Sequence, residues 1–190
     1  MKEENKNPIA VIETEKGLIG IELYPEAAPN TVRSFIWMAE QGLYDNRLIR
    51  RIVPGFVIQP SYSNFEDERC AISLEGEYAL NGFDNPVAFK KGPVAMGGNG
   101  TVASGSCFFI TLSDEAGEKL AGKFAAFGKV ITGWDEVERL AAVETKAVDL
   151  GVPGVTINEP AEPERMVRVT VETWGETYGA PEILAEDEEE

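Results

Sequence analysis

Apolar and polar positions near the start of the chain alternate with a period of two. Ile9 to Thr14 is rich in β-branched residues, and Leu18 to Leu23 sets Ile19, Ile21 and Leu23 against Gly20 and Glu22. With the turn Glu15-Lys16-Gly17 between them, these runs predict a β-hairpin. The period then changes: Val32, Phe35, Ile36 and Ala39 fall on one face of a helix that Asn30 can cap and Gly42 ends. Leu48 to Val53 and Phe56 to Gln59 read as strands broken at Pro54-Gly55. Residues 60–92 contain Asn81-Gly82, Asp84-Asn85 and Pro86, which predict mostly loop, with a strand at Cys70 to Leu74. Gly97 to Gly105 reads as a glycine-rich loop between Val94–Met96 and the apolar strand Cys107 to Leu112. Phe124 to Ile131 predicts a further strand, and Val137, Leu140 and Ala141 stripe a short helix from Trp134 to Ala142. Met166 to Trp174 alternates Val167, Val169 and Val171 against Arg168, Thr170 and Glu172.

Many short strands with two clear helices point to a mainly-β fold, and the pattern alone does not choose between a closed barrel and a sandwich. The 190 residues suit one domain, and 19 glycines with 11 prolines favour a chain of many turns. There is no internal repeat. The expected division is a polar leader at 1–8, a domain at 9–179 and an acidic tail at 180–190. The tail ends in Ala185 to Glu190, AEDEEE, a run that reads as solvated and disordered.

Charge narrows the function. With 17 basic against 33 acidic residues the net charge is -16, which repels phosphate backbones and anionic lipid and makes nucleic acid and membrane poor partners. There is no histidine, so the commonest general base and zinc ligand is missing. Cys70 and Cys107 are the two thiols, too few for a disulfide framework, and no metal or cofactor is expected. The leader MKEENKN is polar and no stretch approaches a membrane span, so the chain reads as cytoplasmic. GGNG at Gly97 to Gly100 lacks the spacing and lysine of a phosphate-binding loop. Nothing indicates an obligate oligomer, and a monomer is expected.

Three segments carry a resemblance. Arg51-Ile52-Val53-Pro54-Gly55-Phe56-Val57-Ile58-Gln59 resembles a cyclophilin segment in which an arginine, a Pro-Gly-Phe turn and a glutamine recur at this spacing. Ser104-Gly105-Ser106-Cys107-Phe108-Phe109-Ile110 resembles a second, and Phe127-Gly128-Lys129-Val130 a third, in the family's order; Ile9 to Trp174 can be laid along it throughout. The resemblance is to a bacterial-like cytosolic cyclophilin. It implies an eight-stranded antiparallel closed β-barrel capped by two α-helices, its interior filled by side chains, with a substrate groove on the outer surface. The implied activity is peptidyl-prolyl cis–trans isomerisation of X-Pro bonds in proline-containing peptides and unfolded clients.

The resemblance also implies roles. Arg51 would donate a hydrogen bond to the prolyl nitrogen, weakening a C–N bond whose rotation barrier is about 18–20 kcal/mol. Gln59 would hold Arg51 or the substrate carbonyl. Phe56, Phe109 and Leu120 would floor the proline site with Val57 and Phe124 beside them, Phe108 turning into the barrel. Cys107 and the backbone at Gly97 and Gly98 would line the peptide path. The departures are Ile49 and Arg50 for an aromatic–histidine pair, Pro60-Ser61-Tyr62 for Gly-Gly-Asp, Gly98 for asparagine, Cys107 for glutamine, Phe124 for histidine and Lys119 for tryptophan. They imply altered substrate preference and weak cyclosporin binding. Two other functions compete: a proline-peptide binding module that lost most catalysis, and a Cys70–Cys107 thiol switch, which an apolar setting for Cys107 disfavours.

Overall fold

The structure, a computed structural model, describes residues 6–62 and 64–185. The first hairpin forms where the alternation places it, as β1 (Ile9–Thr14) and β2 (Leu18–Leu23). Its even-numbered apolar partners Ala10 and Ile12 point inward with Ile19, Ile21 and Leu23. Helix α1 (Pro29–Glu40) buries Val32, Phe35, Ile36 and Ala39 as its period requires. Asn30 does not cap it. Ala28 is the N-cap residue and offers no side-chain acceptor. The buried Glu77 carboxylate serves instead: its Oε1 accepts from the Thr31 backbone N–H at 2.6 Å and from the Thr31 hydroxyl at 2.7 Å. An anion at a helix N-terminus also opposes the helix dipole favourably. Asn30 is turned to the chain's far end, exchanging two hydrogen bonds with the backbone of Glu182.

The expected strand at Leu48 to Val53 is two strands, β3 (Arg47–Leu48) and β4 (Arg51–Val53). The next are β5 (Val57–Gln59), β6 (Ser73–Glu75), β7 (Pro93–Asn99) and β8 (Val102–Thr111). Cys70 lies in a 3-10 turn before β6, so the strand expected from Cys70 starts three residues late. The supposed glycine-rich loop is itself a hairpin, because β7 runs through Gly97 and Gly98 to Asn99 and pairs Gly98 with Ala103 across a bulge. Helix α2 (Asp114–Leu120), which the apolar pattern misses, precedes β9 (Ala125–Thr132) and helix α3 (Trp134–Ala141). A separate hairpin, β10 (Thr145–Asp149) with β11 (Thr156–Pro160), leads to β12 (Arg165–Glu172). In β12 the register slips against β1, Glu13 facing Arg168 and Thr14 facing Met166. Val167 is bulged out to solvent, and Met166 takes the core position.

The fold is mainly β and antiparallel, as expected. It differs in count and closure: the described residues form a ten-stranded curled sheet in the order β3-β12-β1-β2-β9-β7-β8-β5-β4, with β6 on β8, and three α-helices accompany it. The ladder does not close, since its ends β3 and β4 pair with β12 and β5 and not with each other. They are consecutive in the chain, so the covalent link Ile49-Arg50 joins the two ends of the half-barrel. The concave side is filled. Phe35 of α1, Tyr44, Phe108 and Phe127 meet with ring centroids 5.2–5.4 Å apart, leaving a packed core with no room for a ligand. Residues 180–185 lie back on the domain, with Pro181 buried and the Leu184 N–H donating to the Ser73 carbonyl at 2.9 Å. The acidic run 186–190 lies outside the described residues.

Candidate active site

Period-two alternation separates two sets of side chains on neighbouring strands. Ile52, Ile58, Ile110, Phe108, Val94, Met96 and Phe127 enter the main core. Their neighbours Val57, Phe109, Ala95 and Ala126 point to the convex face and join a second apolar cluster with Leu120 of α2. The Phe108–Phe109 pair therefore divides as the sequence suggests, one ring to each side.

On this outer face one cross-strand row brings the candidate residues together. Arg51 pairs with Gln59 between β4 and β5. The β5–β8 ladder pairs Val57 with Thr111 and Ile58 with Ile110, and extending that register by one residue aligns Gln59 with Phe109. Phe109 pairs with Ala95, and Ala95 with Ala126. A guanidinium, an amide, a phenyl ring and two methyl groups thus follow one another across five strands. The small alanines leave space above the sheet that Phe56, Phe89, Val87 and Phe124 border. Phe109 and Phe124 meet edge to face with centroids 5.5 Å apart.

Arg51 is held by Gln59, its Nη1 donating to Oε1 at 3.1 Å. Among the described residues no carboxylate lies within 4.0 Å of it, although acids outnumber bases in this chain 33 to 17. Burial pushes its pKa below the ordinary guanidinium value, with a smaller opposing influence from Tyr62. Arginine stays protonated through such a shift, so the result is a half-desolvated cation with unused donors. Gly97 gives the Gln59 amide its place: a Cβ there would sit 3.4 Å from Gln59 Nε2 and 3.2 Å from the Cys107 carbonyl oxygen. Gly98 is exposed on β7 beside it.

Cys107 is half-buried and belongs to a polar nest. Its thiol donates to Asn64 Oδ1 at 3.1 Å and lies 3.4 Å from the Ser61 hydroxyl, while its backbone N–H donates to Ser104 Oγ at 2.9 Å. Cys70 is fully buried, and burial raises its pKa, which makes it a poor nucleophile.

The sequence reading missed Ala95, Ala126, Val87 and Phe89, all part of the floor. Alanine in a strand carries no signal of its face, and Val87 and Phe89 fall in the stretch read as loop. Helix α2, which delivers Leu120, has a readable start in Ser113, whose Oγ accepts from the Ala116 N–H at 3.1 Å. Its interior Gly117 hid it. A Cβ at that glycine would lie 2.4 Å from the Phe89 carbonyl oxygen, so the helix needs glycine to reach the sheet.

These features define a class first: a mainly-β domain with a filled interior that gathers its candidate residues on the convex face of the sheet. Comparison with known proteins then gives the family. The family described as cyclophilin type peptidyl-prolyl cis-trans isomerase/CLD matches residues 9–171. A peptidyl-prolyl cis-trans isomerase of Arabidopsis thaliana is 31% identical over 167 residues, covering 81% of this chain and 93% of its own. A protein of the same name from Acinetobacter baylyi is 30% identical over 174 residues, covering 88% and 87%. The crystal structure of a Cryptosporidium parvum cyclophilin superposes with a TM-score of 0.68 at 20% identity, covering 87% of this chain and 97% of that one. The chain belongs to the cyclophilin-type peptidyl-prolyl cis–trans isomerases and is an enzyme of that activity. No helix among the described residues is long and apolar enough to cross a membrane.

Proposed function

We propose that Arg51 is the catalytic donor of this isomerase and that Phe56, Phe109, Leu120 and Phe124 hold the proline ring beside it. The observation that carries this reading is the outer row: a half-buried cation held by Gln59, with no acidic partner among the described residues, set in line with an apolar floor. Rotation about an X-Pro amide breaks no bond. It requires only that the nitrogen lone pair leave resonance with the carbonyl, and a donor placed on that nitrogen stabilises the pyramidal, twisted state more than the planar one. A preorganised charged donor in a partly dehydrated site serves this well. The rings fix the proline while the preceding carbonyl turns. Gln59 is a positioning residue, holding one edge of the guanidinium fork so that another faces the substrate. Val57 supports the floor from beneath, and Gly97, Gly98 and Cys107 border the path of the peptide main chain.

A second crystal structure of the Cryptosporidium cyclophilin was obtained in the presence of the dipeptide Ala-Pro, with a TM-score of 0.68 to this chain, which supports proline-containing peptides as the ligand class. We read the protein as a monomer of the cytoplasm, where a reducing medium suits its two free thiols. Its net charge of -16 argues against nucleic acid and anionic lipid as partners.

The test is exchange NMR on a short Ala-Pro peptide with the wild type and with Arg51→Ala. Loss of one preorganised charged donor costs about 10²-fold in kcat/KM. Exchange that survives the substitution within about threefold shows that Arg51 is not the donor. Shifted peptide signals without accelerated exchange in the wild type leave only the binding-module reading.

A further inference from the structure

Nine residues make up the outer apolar cluster: Val57, Ala95, Phe109, Leu120 and Ala126, with Phe56, Val87, Phe89 and Phe124 packed against them. Three charged residues stand next to them in the chain: Lys90 after Phe89, Lys119 before Leu120, and Lys123 before Phe124. All three are lysines, in a chain where acids outnumber bases 33 to 17. All three are exposed, and among the described residues none comes within 4.0 Å of a carboxylate.

The charges on α2 are also segregated. Asp114 and Glu115 occupy the first turn, where Asp114 is engaged by the Lys91 backbone N–H, which donates to its Oδ1 at 2.9 Å. Glu118 is the one acid near the other end, where Lys119 in the last turn and Lys123 in the following turn flank Leu120. The Lys123 N–H donates to the Leu120 carbonyl at 3.2 Å, which holds that turn closed over the floor. Lys91 is not part of the rim: its ammonium lies 4.7 Å from the centroid of the Trp134 ring, on the α3 side.

We propose that Lys90, Lys119 and Lys123 form a basic rim that selects clients carrying aspartate or glutamate beside the proline. The inference rests on the assignment of the outer cluster as the proline site, and it names the substrate class for that site. Two electrostatic effects oppose each other here. The whole molecule, at -16, attracts basic peptides. The rim attracts acidic ones. Screening decides between them, because a Debye length of about 8 Å at physiological ionic strength hides most of the distant surface while leaving the rim within reach of a bound peptide. The local charges therefore govern the bound state, and the selection is for acidic flanks. Lysine suits this use, since it is a mobile point charge on a long stem and tolerates carboxylates in several positions.

The experiment compares three peptides with an Ala-Pro centre, flanked by glutamates, by alanines or by lysines, in the same exchange-NMR assay at about 0.15 M and at about 1 M salt. The proteins are the wild type and the triple variant Lys90→Gln, Lys119→Gln, Lys123→Gln. For three ammonium groups about 7 Å from a client carboxylate in water, the acidic peptide should exceed the neutral one in kcat/KM by about threefold at about 0.15 M salt, where the distant negative surface is already screened. High salt should bring that ratio below about twofold, and so should the triple substitution. A lysine-flanked peptide turned over as well as the acidic one overturns the proposal. So does an acidic preference that the three substitutions leave unchanged. The isomerase reading is judged separately, by exchange on the alanine-flanked peptide. If no peptide is accelerated that reading fails, and the ratio of peptide affinities from signal shifts still tests the rim.

Discussion

Arg139 on α3 lies outside the site and makes the sharpest test of how the fold is held. Its guanidinium donates to both oxygens of Glu136, at 2.7 and 2.8 Å, and to both oxygens of Glu164, at 2.8 and 3.0 Å. Both carboxylates are nearly buried, 6% and 5% exposed. The Thr14 hydroxyl adds a 2.7 Å bond to Glu136 Oε1. One side chain thus ties α3, the end of β1 and the segment entering β12. Arg139→Ala leaves two buried carboxylates facing each other without the guanidinium they share. The remaining cation, Lys16, is 3.8 Å from Glu164 and 61% exposed, too solvated to replace it. Breaking such a buried group costs about 3–5 kcal/mol, a large part of a typical domain's stability of about 5–15 kcal/mol.

The pH dependence separates this mechanism from simple loss of packing. In the wild type, Arg139 holds Glu136 and Glu164 below the usual carboxylate range. Their contribution is present above the unfolded value of about 4.3 and is lost only as pH falls through their lowered folded values. In the variant, desolvation and mutual repulsion raise both carboxylates instead. The variant is then most unstable at neutral pH and recovers as the acids protonate. Urea unfolding of both proteins at about pH 7.5 and about pH 5 should show a gap of about 3–5 kcal/mol that narrows by about 1–2 kcal/mol at the lower pH. Adding Glu136→Gln and Glu164→Gln to the variant should restore part of the loss. A gap that is the same at both pH values, or below about 1 kcal/mol at neutral pH, would refute the reasoning.

Two further outcomes follow from single contacts. Glu77→Ala removes the one oxygen that accepts both Thr31 hydrogen bonds at the start of α1 and should cost about 2–3 kcal/mol in urea unfolding, while Glu77→Gln, which keeps an acceptor but not the charge, should cost about 1 kcal/mol. Gly117→Ala places a Cβ 2.4 Å from the Phe89 carbonyl oxygen, a backbone group that cannot turn away. It should destabilise by about 1–3 kcal/mol and raise KM for an Ala-Pro peptide, because the shift loosens Phe89 and Leu120 together.

What was legible in the sequence follows from how locally each feature is specified. The β1–β2 hairpin, α1 and α3 were readable to within a residue or two, since apolar periodicity alone fixes them. The two-strand nature of 47–53 was not. Its halves pair with strands more than a hundred residues away and with the next hairpin, and nothing local marks where one pairing stops. Val167 reads as core because it alternates with Val169, yet a bulge opposite Glu13–Thr14 turns it out. The Asn30 cap failed for a similar reason: Glu77, 46 residues beyond Thr31, took the place a local side chain would have filled. At the proposed site, Arg51, Phe56, Gln59 and Phe109 are read through the resemblance to the family, whereas Ala95 and Ala126 carry no sequence signal at all.

The position of Arg51 poses a mechanical problem that the chain solves with one serine. Arg51 lies on β4, the terminal strand of the ladder, and a terminal strand is the place where precision is hardest to keep. Its hairpin returns through Pro54-Gly55, with Gly55 at φ 72 and the Phe56 N–H donating to the Val53 carbonyl at 2.9 Å. The Ser113 hydroxyl donates to the Gly55 carbonyl at 2.6 Å while accepting from the Ala116 N–H that begins α2. The Leu112 N–H donates to the Phe56 carbonyl at 2.9 Å. The turn carrying the proposed donor's hairpin and the helix carrying Leu120 are therefore fastened to the same two residues. A displacement of either is passed to the other, which couples the guanidinium to the apolar floor, and β11 packs against β4 as a further brace. Of the departures from the family pattern, Gly98, Cys107 and Phe124 fall outside this fastened pair, whereas Lys119 stands on α2 itself. On the proposed assignment, Lys119 and Phe124 alter what stands beside the apolar floor, while the hairpin that carries Arg51 keeps its attachment to Ser113.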